Sequence, residues 1–281
     1  MPENKLTRLF ITFFLLLTTS ITFGQGFQIS GTVQSAAQQQ AIPYVNIGIK
    51  KKNIGTATRP DGSFKINLKE ENRQDTLTFS AIGHNELSLP VSSILSNRNT
   101  RFELTEKTTA LHEVVISSKA PKIKKIGTTS RNPFLYGSAE TVHSEDISEL
   151  GKFIKLNNKT SEILSATVYL RSIKLDSATF RINLYKNTAG MPGERLVEKS
   201  VIRRLPLTQG WVTVPLEQYG LVVDEDFFLG IEYLPDYSKH EKYIFIYGAA
   251  FGGSFYSRKA SLGDWEKGLG GRLAAYVTVR Q

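Results

Sequence analysis

Apolar and polar residues alternate with a period of two along most of the chain. Val45, Ile47 and Ile49 share one side of an extended segment. So do Phe64, Ile66 and Leu68, then Leu77, Phe79 and Ala81, then Phe102 with Leu104 and Val114 with Ile116. Successive side chains of a strand point to opposite faces, so this pattern predicts short strands with one buried face each. Turn signals such as Asp61-Gly62 and Gly83-His84-Asn85 separate them, and no long helical period intervenes. The Asp-Gly pair predicts a tight hairpin, with Gly62 at positive φ. The same alternation returns in the second half, at Leu164, Ala166, Val168 and Leu170, at Phe180, Ile182 and Leu184, at Val212 with Val214, at Leu229, Ile231 and Tyr233, and at Leu273, Ala275, Val277 and Val279. Half-apolar sheets are stable when they bury those faces on each other. The chain therefore reads as all-β, with one β-sandwich over residues 25–118 and a second, of eight or nine strands, over residues 140–281.

The start of the chain has a different pattern. Lys5 and Arg8 precede the apolar run Leu9–Leu17, and Thr22 and Gly24 place small residues just before Gln25. This order predicts an export signal over residues 1–24, removed after Gly24. The run is shorter than the roughly 20 residues that span a bilayer. No later segment is long and apolar enough to do so, and a mature protein without a transmembrane segment is expected. With no cysteine in the chain, disulfides, thiolate chemistry and lipid attachment through a leading cysteine are all excluded.

Several segments of the first block together resemble a known family. Ile29-Ser30-Gly31-Thr32-Val33 is followed by Ile42-Pro43-Tyr44-Val45-Asn46-Ile47, then by Gly55-Thr56-Ala57-Thr58 and Pro60-Asp61-Gly62-Ser63-Phe64-Lys65-Ile66. These resemble the carboxypeptidase regulatory-like domain, a transthyretin-like seven-stranded sandwich common in Bacteroidetes envelope proteins. Leu111-His112-Glu113-Val114-Val115-Ile116 is similar to the segment that closes that domain. The resemblance implies an accessory module without catalytic residues. Arg59 stands where the family often has an acid, which argues against a cation at that turn. The second block more loosely resembles jelly-roll domains of Bacteroidetes surface proteins, some of them carbohydrate-binding-like. The expected location is the periplasm, the outer membrane or the cell surface.

The formal charge of +9 changes this picture little, because most Lys and Arg are interspersed with acids. The exception is the acid-free stretch holding Lys119, Lys122, Lys124, Lys125 and Arg131, with Pro121, Gly127 and Pro133 among them. It reads as a basic linker over residues 119–139, with an anion-binding patch as the alternative. No nucleic-acid partner is expected.

The sequence holds no nucleophile motif, no phosphate loop and no metal-binding histidine spacing. Glu145-Asp146 and Asp224-Glu225-Asp226 read as solvated acids at strand ends, with Ca²⁺ ligation as the alternative. No catalytic residue, metal or cofactor is assigned. The one candidate ligand site is Trp265 with Asp264 and Glu266. An indole in a Gly-rich loop can stack on a sugar while the acids accept hydroxyl hydrogen bonds. Trp211, inside a strand pattern, reads as packing. The expected function is a non-catalytic envelope accessory protein that presents loops to a glycan, peptide or protein partner. The alternatives are a glycan-acting hydrolase, which needs two facing carboxylates in a cleft, and a structural subunit of an outer-membrane assembly.

Overall fold

The structure, a computed structural model, describes residues 26–107, 121–142, 145–172, 176–236 and 244–281. The export signal over residues 1–24 and the pair Val114 and Ile116 lie outside the described residues. The protein is all-β, built as two sandwiches.

In the first module, β1 (Phe27–Ser35), β4 (Ser63–Leu68) and β7 (Arg101–Leu104) form a sheet in the order β4-β1-β7. The facing sheet has the order β3-β2-β5-β6, from β2 (Asn46–Ile49), β3 (Ile54–Ala57), β5 (Thr76–Ser80) and β6 (Leu87–Pro90). Those are the seven strands implied by the family resemblance. A short helix, α1 (Val91–Asn97), turns the chain back so that β7 runs parallel to β1. The residues that alternate in the sequence meet between the sheets. Phe64, Phe79 and Phe102 are 2% exposed or less, with Phe79 and Phe102 stacked at 4.5 Å and Phe64 at 5.7 and 5.5 Å from them.

Asp61-Gly62 is a turn, and Gly62 has φ +78°. The Asp61 carboxylate accepts hydrogen bonds from the Ser63 N–H at 2.9 Å and its hydroxyl at 2.6 Å. It is not a hairpin within one sheet, however: β3 pairs with β2, and β4 pairs with β1. Thr58 fixes the crossing. Its hydroxyl accepts from the Val45 N–H and donates to the Ile42 carbonyl, both at 2.8 Å, which ties off β3 before the chain arches to the other sheet.

The second module contains thirteen strands among the described residues, more than the eight or nine expected. The supposed linker contributes two of them. β8 (Ile123–Gly127) pairs antiparallel with β20 (Ala275–Arg280), and β9 (Tyr136–Glu140) pairs with β18 (Ile244–Arg258). The basic composition belongs to an edge strand, where lysines block pairing with a further chain. Ile126, opposite Val277, supplies its one inward apolar contact.

β18 also organises the two layers. Its first half pairs with β9 and with β11 (Ser161–Ser172), which in turn carries β15 (Gly210–Pro215), β16 (Leu221–Val223) and β20. Its second half pairs with β10 (Ser148–Ile154) and β19 (Glu266–Leu273). β10 continues through β17 (Phe227–Leu234) to β12 (Ser177–Thr188), which carries β13 (Met191–Arg195) and β14 (Val201–Pro206). One hydrophobic core, from Ile163, Val168 and Leu170 to Phe227, Leu229 and Val277, lies between the layers. A bulge in β11 between Ile163 and Ser165 puts Ile163 into this core and leaves Leu164 half-buried.

The modules are docked on one another. Gly48 and Gly55 face each other across β2 and β3, and a Cβ on either would lie within 2.8 Å of the Ser261 carbonyl oxygen. Their bare backbones let the 260–263 turn of the second module sit on the sheet. The Ala57 N–H and the Thr56 hydroxyl donate to the Glu145 carbonyl at 3.1 Å, and Arg59 pairs with the Glu145 carboxylate at 2.7 Å. Ala57, Ile147 and Leu234 form a small apolar cluster with Tyr44 and Ile202. Glu145 and Asp146, which read as solvated acids or Ca²⁺ ligands, are thus part of the docking. Asp146 is fully buried. The N–H groups of Ile147 and Ser261 donate to its Oδ1 at 2.8 and 2.9 Å, and its Oδ2 has no hydrogen-bond partner.

Two outcomes are expected. Phe64→Ala should destabilise the first module by about 3–5 kcal/mol in urea unfolding, as for a buried ring deleted from a packed core. A loss within 1 kcal/mol, about the cost of an exposed ring, would contradict the burial. The second concerns Asp146, whose carboxyl burial pushes up to about 7 against the pull of Ser261 and Ile147. The unfolded chain releases this proton near 3.8 and the folded protein near 7, so neutral Asp146 stabilises the fold fully below the lower value. That contribution is lost as pH rises through the upper one. Asp146→Asn, which cannot ionise, should gain on wild type by on the order of 4 kcal/mol between acid and pH 8. A difference that stays constant with pH would contradict it.

Candidate binding face

Three places in the second module carry the side chains from which a site can be built. The first is a buried polar network on the outer side of the layer holding β12, β17 and β10. Phe180, Ile182 and Leu184 point into the core, so Arg181, Asn183 and Tyr185 point the other way. There they meet Glu149 and Glu232, both wholly buried. Arg181 pairs with Glu232 at 3.3 Å, and Arg258 pairs with Glu149. The Asn183 amide donates to both glutamates at 2.8 Å, and the Tyr185 hydroxyl donates to Glu149 at 2.8 Å. The first module closes this network from outside: the Asn46 amide donates to Glu232 at 3.1 Å, and Arg181 donates to the Tyr44 carbonyl. Tyr44 is held at φ +55° to offer that oxygen.

Burial opposes ionisation of Glu232, but Arg181, Arg195 and Arg258 outweigh it and hold the carboxyl below its usual range. Burial and the Glu149 charge together push the Tyr185 hydroxyl up. Glycoside hydrolysis needs two carboxylates flanking the bond to be cut. Glu149 and Glu232 are the paired acids of this module, and both are closed off and matched by arginines. A depression of about 410 Å³ is lined by residues from Ser138 to Val142, by Ser148 and by Ser257 to Lys259, and Glu140 is its one acid among the described residues.

The second place is the loop of Asp264, Trp265 and Glu266. Asp264 and Glu266 are exposed, and Glu266 pairs with Lys259 at 2.8 Å. Trp265 is half-buried. Its ring lies on the Arg258 guanidinium at 5.0 Å and meets Tyr185 edge-on at 5.6 Å. The indole thus packs beside the Glu149–Arg258 pair.

The third place is the outer face of the other layer. Val212 and Val214 of β15 point inward, so Trp211 and Thr213 point out. Val168 and Leu170 of β11 point in, so Thr167 and Tyr169 point out. In β20, Ala275 and Val277 leave Tyr276 outside. Strand pairing sets Tyr169 opposite Trp211 and Thr167 opposite both Thr213 and Tyr276. The Trp211 ring lies 5.4 Å from Tyr169 and 5.4 Å from Tyr276, forming a three-ring ridge with 37% of Trp211 exposed. The Thr167 and Thr213 hydroxyls meet at 3.0 Å beneath it. Arg131 lies over Tyr169 at 4.3 Å and Lys125 over Tyr276 at 5.2 Å. Gly248 makes room for the first of these stacks, since a Cβ there would come 2.8 Å from the Tyr169 ring and 3.2 Å from Arg131. Next to it, Arg171 lies over Tyr136 at 4.3 Å, and Tyr136 is 55% exposed. The strand alternation already assigned Val212 and Val214 to the core. Read one residue further, it would have placed Trp211 outside.

Of the two acid clusters in the sequence, Asp224-Glu225-Asp226 contributes a loop cap: Asp226 accepts from the N–H groups of Leu156 and Asn157 at 2.7 and 3.0 Å. Among the described residues no helix is long and apolar enough to cross a membrane, which leaves crossing by strands unaddressed.

Comparison with known proteins bears mainly on the first module. Residues 29–116 match the family model of the CarboxypepD_reg-like domain, which covers the sandwich of β1 to β7 and under half of the chain. The module is a β-sandwich of that class. No curated protein matches the chain. Among solved structures, the chain is similar to the VP2 subviral particle of infectious bursal disease virus, with 10% identity and a TM-score of 0.28, over 90% of this chain and 63% of that one. The Gx strain of the same virus gives 8% and 0.28, over 91% of this chain and 63% of that one. The T13 particle of the virus gives 8% and 0.25, over 91% and 61%. The chain spans less than two thirds of these viral chains, and TM-scores this low say nothing of its function.

The two tryptophans should behave differently when removed. Trp265→Ala removes the ring beside a buried ion pair and should cost about 2–3 kcal/mol in urea unfolding, toward the lower end for a large ring. Trp211→Ala loses edge contacts on an outer face and should cost about 1 kcal/mol. A reversed order would overturn both assignments.

Proposed function

We propose that this is an exported, non-catalytic accessory protein of the Bacteroidetes envelope type, whose second module is a jelly-roll-like sandwich that binds a glycan. The observation that carries this reading is the ridge of Trp211, Tyr169 and Tyr276 on a sheet face that the first module leaves uncovered. Aromatic rings present a flat apolar surface with a polar rim. The C–H face of a pyranose fits that surface, and the exposed Thr213 beside it suits the sugar's own hydroxyls. The site is a face and not a deep pocket, so affinity should be micromolar to millimolar, about −8 to −4 kcal/mol. The CarboxypepD_reg-like module supports the accessory role, and the export signal expected over residues 1–24 supports the location.

The test is a glycan array read with the wild-type protein and with Trp211→Ala. Binding should be seen for at least one polysaccharide and should be lost in the variant at nearly unchanged melting temperature. If Trp265→Ala abolishes binding while Trp211→Ala leaves it intact, the site belongs to the Asp264–Glu266 loop instead. If no glycan binds, the reading fails.

A further inference from the structure

We infer that the aromatic ridge selects a polyanionic glycan, a polymer of uronic acids, over a neutral one. The inference rests on the glycan reading above and adds the charge of the ligand.

Arg131, Lys125 and Arg171 each lie on a ring of this face, and among the described residues none of the three has a carboxylate within ion-pair distance. Several exposed cations elsewhere are matched, as in Lys50–Glu86, Lys52–Asp75 and Lys259–Glu266. The acids at the far end of the face, Glu162 and Glu217, are both taken by Arg280, at 2.6 and 2.7 Å. The ridge thus lies in a field of one sign.

Stacking also fixes where these charges are. A guanidinium over a phenol ring is held there by cation–π attraction and keeps its N–H donors. A carboxylate can accept from two such donors at once. Arg131 and Lys125 lie on Tyr169 and Tyr276, the two rings that meet Trp211. A chain of sugars lying along the three rings would bring the carboxylates of successive residues past both cations. Rings provide the apolar contact, cations select the charge, and neither alone specifies a uronate polymer. The acid-free stretch around Lys125 and Arg131, read in the sequence as a linker with an anion patch as alternative, supplies two of the three cations.

The test sets charged polymers beside neutral ones, and polygalacturonate beside its methyl ester isolates the charge. Polygalacturonate, alginate and hyaluronate are titrated against the full protein, beside methyl-esterified polygalacturonate, dextran and polyglutamate. At least one uronate polymer should bind. Esterification should weaken binding at least tenfold, and raising salt should weaken it as the charges are screened. Lys125→Gln and Arg131→Gln should each cost roughly two- to five-fold, Arg131→Lys should cost less than Arg131→Gln, and Trp211→Ala should abolish binding. Equal binding of the esterified and free polymers would overturn the charge selection and leave the glycan face standing. Equal binding of polyglutamate, with no effect of Trp211→Ala, would show charge attraction without a ring platform and overturn the inference. If neither charged nor neutral polymers bind, the glycan reading falls with it.

Discussion

Two buried glutamates, Glu149 and Glu232, determine how this molecule is put together. A carboxylate removed from water costs several kcal/mol unless its partners replace the lost solvation. The second module supplies most of them itself, as Arg181, Arg258, Asn183 and Tyr185 from one sheet face. The last contacts come from outside, through the Asn46 amide and the Tyr44 carbonyl. An open network of charges in a low-dielectric setting is worse than an apolar surface. The first module is therefore a required cover. Its glycine-faced sheet and the turn at Ser261 follow from the same need for close approach.

The docking divides the second module's surface into two faces with different roles. The outer side of the layer built on β12, β17 and β10 carries charge and is covered. The outer side of the layer built on β11, β15 and β20 carries aromatic rings and cations and is open. The first module thus stands on the far side of the sandwich from the proposed ligand. A role in holding and spacing fits that placement.

Much of the first module was legible in the sequence because its strands obey a strict period of two and its core is filled by the residues so marked. Asp61-Gly62 was legible as a turn. Whether a turn closes a hairpin or crosses between sheets depends on distant partners such as Thr58 and Val45, which no local pattern encodes. The basic segment was misread because composition does not separate a linker from an edge strand: Ile123, Lys124, Lys125 and Ile126 offer one inward residue, too few for a visible alternation. Asp146 was misread for a related reason. An acid beside another acid reads as solvated, and its burial depends on Gly55 and Ser261, far away in the chain. Trp211 was passed over because a tryptophan among valines reads as core, although the valines themselves fix it on the opposite side.

The long strand β18 belongs to both layers of the second sandwich, and this has a kinetic meaning. Its first half needs β9 and β11, and its second half needs β10 and β19, so it cannot settle until both layers have begun to assemble. Pairings between distant segments form slowly, since each closes a long loop before it is rewarded. The strand is therefore expected to lock the two sheets late in folding. The backbone amides of its central residues, around Gly248 and Ala249, should be among the last to exchange with solvent in the native state.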